Sequence, residues 1–140
     1  MLYHIPALLR ECIDGMNILP DSICVDVTFG GGGHSKEILK HLDGSGHLYA
    51  FDQDEDAIDN LQQDERFTFS RSNFRYLKNL IHYYGQEQVD AILADMGVSS
   101  QHVYRDDRGF SFRREVGHLD MRMIKEGQQT ADFCLNTHSE

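Results

Sequence analysis

Four short apolar runs alternate with amphipathic segments along most of the chain. The runs are rich in β-branched and aromatic residues and are bounded by glycine, proline or acidic residues, a pattern that predicts buried β-strands. They cover residues 22–29, 46–52, 67–74 and 89–96. The last of them, VDAILADM, is apolar enough to be typical of a strand covered on both faces.

Two predicted helices flank the first strand. Pro6 is suited to the first position of the leading helix, where the missing N–H would have no partner. Ser35 is the predicted cap of the second helix, which should end near Gly44. Their inward faces carry apolar residues at helical spacing: Leu8, Leu9, Cys12, Ile13 and Met16 in the first, and Ile38, Leu39 and Leu42 in the second.

Two more helices are predicted after the second and third strands. Asp54 should cap the first of these, with Ala57, Ile58 and Leu61 on one side. The second should end at Gly85. Its apolar residues stand at i, i+3, i+4 and i+7 and are Leu77, Leu80, Ile81 and Tyr84.

The alternation of strands and helices predicts an α/β fold with a parallel, doubly wound sheet. Right-handed crossovers with a switch point beside the first strand give the strand order 3-2-1-4, with helices on both faces. From Gly97 onward the periodicity fades, so an irregular or helical tail is expected there.

Composition argues against membrane, disulfide-bonded and metal-binding proteins. No apolar run approaches the roughly 18 residues of a membrane-spanning helix. Cys12, Cys24 and Cys134 are an odd number without CxxC spacing, as expected of reduced thiols in the cytoplasm. The eight histidines show no HxxxH or HExxH spacing, so no metal is expected.

The net charge of −10 is unevenly distributed. Residues 105–125 carry six basic and four acidic side chains, whereas the rest of the chain carries 7 basic and 19 acidic ones. This mildly basic segment, which also carries aromatic residues, is compatible with a local contact to a polyanion. A solvated loop of mixed charge explains the segment equally well.

The segment FGGGGHS, residues 29–35, places four glycines directly after the first strand. Ordering four glycines is unfavourable, so either a ligand approaches the backbone closely or the loop bends as side chains forbid. The dinucleotide fingerprint G-x-G-x-x-G fits imperfectly, because its last position is Ser35 or Lys36, and the spacing of a P-loop is absent. A dinucleotide-dependent oxidoreductase is therefore disfavoured.

Polar and aromatic groups are predicted at the ends of the neighbouring strands. Asp52 follows Gly30 by 22 residues and is placed to accept hydrogen bonds from ribose hydroxyls. Asp95 ends the fourth strand, and Asn73 and Phe74 end the third. Either aspartate alone could simply form a strand-end turn, but together with the glycine loop they favour a nucleoside site.

Seven motifs occur in order along the chain: YHIPALLRE, DVTFGGGGHS, AFDQDEDAI, SNF, DAILADMGVSS, RGFSF and LDMRM. Together they resemble the bacterial 16S ribosomal RNA cytosine-N4 methyltransferases. The resemblance implies a Rossmann-like class I S-adenosylmethionine-dependent methyltransferase fold with about seven strands in the intact enzyme. The chain would supply its front half, with a partial cofactor-binding domain over residues 1–104 and the start of a truncated insertion over 105–140.

The same resemblance implies a set of residues lining the S-adenosylmethionine site. They are Gly32, Gly33, His34, Asp52, Phe74 and Asp95. The family has a glutamine contact after the fourth-strand motif, where this chain has His102, with Gln101 one place early. Either residue is a candidate for that contact.

The implied activity is methyl transfer to the N4 amine of a cytosine in the RNA of the small ribosomal subunit. The catalytic residue is not assigned, and Asp95 is the first position to test. Arg108, Phe110, Phe112 and Arg113 are suited to phosphate contact and base stacking, although ordinary packing accounts for the two rings as well.

Two alternatives to this activity are a class I methyltransferase with another substrate and a truncated, non-catalytic remnant. An exposed fourth strand in the 140-residue chain would favour aggregation and loss of turnover.

Overall fold

The computed structural model describes residues 6–98 and Phe110. The chain divides into two compact units, Met1–Met96 and Gly97–Glu140. The described helices and strands belong to the first unit. The predicted division at residues 104 and 105 and the predicted tail lie outside the described residues.

Four parallel strands form one sheet in the order β3-β2-β1-β4, which confirms the predicted order. Each strand is shorter than its predicted run. The strands are β1 (Ile23–Asp26), β2 (His47–Asp52), β3 (Phe67–Arg71) and β4 (Ala91–Leu93). The sequence-consecutive pairs β1–β2 and β2–β3 are joined by crossovers, and the chain then passes back to place β4 beside β1.

Three α-helices lie at the predicted places along the chain. They are α1 (Leu9–Met16), α2 (Gly33–His41) and α3 (Leu77–Tyr83). Between β2 and β3 the expected α-helix is instead a 3-10 helix, Glu55–Asn60, and a second 3-10 turn, Phe74–Tyr76, precedes α3. Asp54 caps the first 3-10 helix as predicted, because its side chain accepts a hydrogen bond from the Asp56 N–H.

The apolar side predicted for the third helix is wrong in part. Ala57 is buried, but Ile58 and Leu61 are 44% and 42% exposed. A 3-10 helix has three residues per turn, so positions that share a face at 3.6 residues per turn separate. Leu61 also lies beyond the last helical residue, in extended conformation.

Two predicted helix starts are also corrected. The first helix begins at Leu9 and not at Pro6, because Leu8 adopts a left-handed conformation with φ of 50°. The second begins with Gly32 in the capping position, where φ is 75°. Ser35 lies inside α2, fully buried, and its hydroxyl serves another purpose described below.

The core has two layers, one on each face of the sheet, as the doubly wound pattern requires. Successive residues of β1 alternate between them: Cys24 packs toward α1 and α2, and Val25 packs toward α3. Leu48 and Tyr49 of β2 continue the same alternation. Helices therefore cover both faces of the sheet at β1 and β2, whereas Ile92 in the middle of β4 is 52% exposed, so the prediction of a fourth strand covered on both faces is wrong.

Cys24 lies at the centre of the sheet with no exposed surface. Burial, reinforced by the negative charge of Asp90, raises the pKa of its thiol to about 11. Cys12 on α1 is half-buried. Within the part of the chain that the structure describes, no helix is long and apolar enough to cross a membrane.

Arg66 ties the entry of β3 to the end of α2. Its guanidinium donates to the carbonyl of Leu39 at 3.1 Å and also to the carbonyl of Leu42. The same guanidinium binds Asp64 through two nitrogens, at 2.9 and 2.6 Å. These hydrogen bonds lower the pKa of Asp64 from its ordinary value of 3.8 to about 2. One side chain thus donates to two carbonyls at the end of α2, in addition to the Leu42 N–H, which donates to the Leu39 carbonyl at 3.3 Å.

We expect Arg66→Ala to lower the free energy of unfolding more than the removal of an exposed ion pair does, because two part-buried carbonyls at the end of α2 then lose a side-chain donor. The matched control is Arg71→Ala, whose guanidinium lies 3.9 Å from Glu55 with both side chains well exposed. Such exposed pairs contribute about 0–1 kcal/mol. Urea unfolding measures both losses, and equal losses would contradict this role.

The Arg66→Ala loss should also depend on pH. The folded pKa of Asp64 lies below its ordinary value, so the stabilisation is present above about pH 4 and disappears as the pH falls toward 2. The difference in the free energy of unfolding between wild type and Arg66→Ala should therefore become smaller as the pH is lowered from about 4 to 2.

Candidate functional site

The glycine loop makes the turn from β1 into α2 with two left-handed residues. Gly30 has φ of 48° and Gly32 has φ of 75°, a region that side chains strongly disfavour. A Cβ on Gly32 would also stand 3.0 Å from the Phe29 ring and 3.2 Å from the Gln62 amide. These two glycines are therefore required by the bend itself, before any ligand is considered.

Asp26, the last residue of β1, anchors this turn. It has no exposed surface, and its carboxylate accepts hydrogen bonds from the Thr28 N–H at 3.0 Å and from the Ser35 hydroxyl at 2.7 Å. Burial raises the pKa of Asp26, while the two hydrogen bonds oppose the rise. The carboxylate thus bridges the strand end and the first turn of α2.

Asp26 was not predicted as a site residue because it lies within an apolar strand run. A usable signal was present, since an acidic residue in a buried strand must find a partner and Ser35 follows nine residues later.

Asp52 holds the loop from the neighbouring strand. One carboxylate oxygen accepts from the Gly30 N–H at 2.8 Å, and the other accepts from the Asp54 N–H at 2.9 Å. The residue is only half-buried. Because each carboxylate oxygen has two lone pairs, both can accept a further hydrogen bond from a ligand.

Asn60 binds the backbone of the same residue from its other end. Its side-chain N–H donates to the Gly30 carbonyl at 3.1 Å. Gly30 is therefore bound through its N–H by Asp52 and through its carbonyl by Asn60. This contact from the end of the 3-10 helix was not predicted, because Gly30 and Asn60 are 30 residues apart along the chain.

Gly33 and His34 face the N-terminal segment of the chain. A Cβ on Gly33 would lie 2.2 Å from Cγ of Pro6, so the proline ring occupies the space beside this glycine. The His34 ring is buried, and its Nε2 is 3.2 Å from the Ala7 carbonyl oxygen. These contacts give both residues a packing function at the start of α2.

Phe74 follows β3 and is 47% exposed. It is connected to the Asp52 region through its neighbour Asn73, whose side-chain N–H donates to the Gln53 amide oxygen at 3.0 Å. The Ser72 N–H in turn donates to the Asp52 backbone carbonyl at 2.9 Å. An exposed ring is therefore held near the half-buried carboxylate.

Asp95 is exposed and lies just after β4. Its N–H donates to the Thr28 hydroxyl at 2.7 Å. This hydrogen bond links the segment after β4 to the turn that follows β1. Gln101 and His102 lie outside the described residues. The structure thus brings the glycine loop, Asp52, Phe74 and Asp95 to the carboxyl ends of the four strands.

That edge of the sheet combines a bent glycine backbone with a carboxylate, an exposed ring and a second carboxylate. In open α/β sheets, ligands bind at this edge beside the strand where the order reverses, which here is β1. Carboxylate acceptors suit ribose hydroxyls, and an exposed ring suits an adenine face. Among the described residues, no group of three or more His, Cys, Asp or Glu side chains is arranged to hold a metal ion.

The contact between Gly33 and Pro6 makes a compensation test possible. Gly33→Ala should lower the free energy of unfolding by about 1–3 kcal/mol, because the added Cβ overpacks against the proline ring. Pro6→Ala in the same chain removes Cγ and Cδ and leaves Pro6's Cβ position 3.6 Å away, an ordinary contact. The double variant should therefore recover most of the loss, as measured by urea unfolding.

Gly15→Ala in α1 is the matched control. No atom lies within 4 Å of its added Cβ, so it should be neutral or gain up to about 1 kcal/mol from helix propensity. If the losses of Gly33→Ala and Pro6→Ala simply add in the double variant, the proposed packing contact is wrong.

Comparison with known proteins agrees with this architecture. The sequence profile of the MraW methylase family matches residues 1–140. A crystal structure described as a "putative rRNA-methylase" from Clostridium thermocellum superposes with a TM-score of 0.57 at 20% identity, covering 70% of this chain and 57% of that one. At this identity the match shows a shared fold.

Curated relatives are much more similar in sequence. The proteins called ribosomal RNA small subunit methyltransferase H from Phocaeicola vulgatus, Bacteroides thetaiotaomicron and Porphyromonas gingivalis are 63%, 59% and 56% identical to this chain. The matches cover 98–100% of this chain but only 44–46% of the relatives, so the chain spans a little under half of their length. On the match over its whole length, the chain belongs to the MraW methylase family.

Proposed function

We propose that this chain is the cofactor-binding portion of an S-adenosylmethionine-dependent methyltransferase that modifies the N4 amine of a cytosine in small-subunit ribosomal RNA. The observation that carries the proposal is the Gly30–Asp52 hydrogen bond of 2.8 Å, which sets a ribose-binding carboxylate against a glycine loop at the switch point of the sheet. The names of the relatives supply the RNA substrate class, and the resemblance of the motifs supplies the cytosine.

The described residues fit S-adenosylmethionine. Asp52 would accept hydrogen bonds from the ribose hydroxyls with its remaining lone pairs, and the exposed ring of Phe74 would lie against the adenine. Gly31 is exposed at the turn, so its backbone is accessible to a ligand. A nucleoside without a pyrophosphate suits a loop that lacks the full dinucleotide fingerprint.

The other residues of the proposed site have different tasks. Gly32, Gly33 and His34 would shape the start of α2 through their backbone and through packing, since the His34 ring is bound to the N-terminal segment. Asp95 and either Gln101 or His102 remain proposed cofactor contacts.

S-adenosylmethionine supplies a methyl group that is already activated by its sulfonium, so little acid–base catalysis is required. The protein must hold the cytosine amine in line with that methyl group. The amine lone pair is conjugated with the ring, and a hydrogen-bond acceptor on the amine would make it more available. Asp95 is the described acceptor to test first, because it is exposed at the end of β4. The target base must also leave its stack to reach such a site.

The proposed setting is the bacterial cytoplasm, with the small ribosomal subunit as partner.

Cofactor binding is tested by calorimetry with S-adenosylmethionine and with NAD. We expect S-adenosylmethionine alone to bind, and Asp52→Ala to weaken binding by about 10- to 150-fold, as hydrogen bonds to a charged group predict. Asp59→Ala removes an exposed carboxylate from the same connection and should leave the affinity unchanged. Equal binding of NAD, or an unchanged affinity in Asp52→Ala, would count against this cofactor site.

The RNA assignment is tested by mass spectrometry of ribosomal RNA from a strain that lacks the gene, with and without complementation by the full reading frame. One N4-methylated cytosine of the small subunit should lose its methyl group in the deletion strain and regain it on complementation. If the methylation of ribosomal RNA is the same in both strains, ribosomal RNA is rejected as the substrate. If a methyl group is lost from another base, the assignment to cytosine is rejected.

A further inference from the structure

One stretch of the described chain carries basic but no acidic side chains. Residues 67–86 contain three basic side chains and no acidic one, whereas the rest of residues 6–98 contains 4 basic and 16 acidic ones. The basic residues are Arg71, Arg75 and Lys78. The stretch comprises β3, the second 3-10 turn and α3.

Helix α3 separates an apolar from a polar face. Its inward side chains pack on Val25, Tyr49 and Phe51 of the sheet; they are Leu77, Leu80, Ile81 and the following Tyr84. Its outward side chains are all exposed: Lys78, Asn79, His82 and Tyr83. With Arg75 and Tyr76 of the preceding turn, these four residues form what we call the α3 surface.

Two aromatic rings stand on the α3 surface with little cover. Tyr83 is 82% exposed and Tyr76 is 51% exposed. The Arg75 guanidinium lies 5.7 Å from the centre of the Tyr76 ring, within the range of a cation–π contact. Exposed rings beside cations are the combination that binds single-stranded nucleic acid, since bases stack on the rings and cations neutralise phosphates.

The surface is firmly attached to the sheet. Tyr84 stacks on Tyr49 with ring centres 5.2 Å apart, and its hydroxyl is hydrogen-bonded to Ser70. Gln86 also donates to the Tyr49 hydroxyl at 3.2 Å. Arg71 differs from the other two cations because Glu55 lies 3.9 Å away, so it is excluded from the α3 surface. A rigid base allows the exposed rings to bind without a large ordering cost.

We propose that the α3 surface binds single-stranded RNA, with Arg75 and Lys78 contacting phosphates and Tyr76 and Tyr83 stacking on bases. This rests on the proposed function and names the RNA-binding surface that it requires. The surface begins one residue after Phe74, so a bound strand would run beside the proposed cofactor edge. Charge complementarity favours a polyanion as the partner, because this stretch carries three cations and no acidic side chain in a chain whose net charge is −10.

The probe is a fluorescein-labelled single-stranded oligoribonucleotide of about 12 nucleotides and mixed sequence, followed by fluorescence anisotropy at several salt concentrations. Arg75→Ala with Lys78→Ala should weaken binding and reduce the slope of log K against log salt by about 1.4, the value for two single-strand phosphate contacts. The matched control is Arg10→Ala with Lys36→Ala, which removes two exposed cations from α1 and α2 and should leave the slope unchanged.

Stacking is tested separately. Tyr76→Ala and Tyr83→Ala should each weaken binding by about 5- to 150-fold, whereas Tyr76→Phe and Tyr83→Phe, which keep the ring, should bind like wild type. S-adenosylmethionine affinity should be unchanged in all four variants, which shows that the cofactor edge is intact.

The proposal is overturned if wild type shows no saturable binding to the probe at low salt up to about 100 μM, the weak limit of non-specific binding. It is also overturned if the α3 variants bind like wild type, or if polyglutamate competes as well as RNA. Failure of the proposed function is recognised separately. If wild-type protein binds the probe but deletion of the gene leaves the cytosine methylation of ribosomal RNA unchanged, the proposed function alone is rejected. If complementation restores the methylation but the α3 variants bind the probe as tightly as wild type, the α3 surface alone is rejected.

Discussion

The buried carboxylate of Asp26 is the constraint on which the candidate site depends. It ends the central strand, accepts one hydrogen bond from the turn at Thr28 and another from Ser35 in the first turn of α2, and has no contact with solvent. An isolated buried charge would be strongly unfavourable, so the loop must close to supply the donors. The geometry of the glycine turn is thereby fixed by the same interaction that makes the carboxylate tolerable in the core.

Two aspartates on the neighbouring strands β1 and β2 have different functions at this edge of the sheet. Asp26 is enclosed and serves the fold, whereas Asp52 is half-buried and holds Gly30 from outside while keeping acceptor capacity for a ligand. Asn60 completes the arrangement by binding the Gly30 carbonyl. Because the backbone of Gly30 is held on both sides before a ligand arrives, little conformational entropy remains to be lost on binding.

The strands, their order and the amphipathic helix α3 could be predicted from the sequence, since each depends on local periodicity and on the handedness of crossovers. The position of Asp52 and the exposed ring of Phe74 followed from strand ends. The capping role predicted for Ser35 was wrong because α2 begins two residues earlier, at Gly33, with Gly32 in the capping position, and Ser35 inside the helix donates to Asp26. The 3-10 helix and the packing of Pro6 beside Gly33 were not predictable, because they depend on tertiary contacts between distant segments.

The burial of Cys24 gives the sheet a chemical property of its own. With a pKa of about 11 and no exposed surface, this thiol is almost entirely protonated at neutral pH and out of reach of alkylating reagents. Its reaction requires β1 to separate from α1 and α2, so the rate of modification measures how often the central strand opens. The rate at which Cys24 is alkylated therefore reports on the opening of the strand that ends in Asp26.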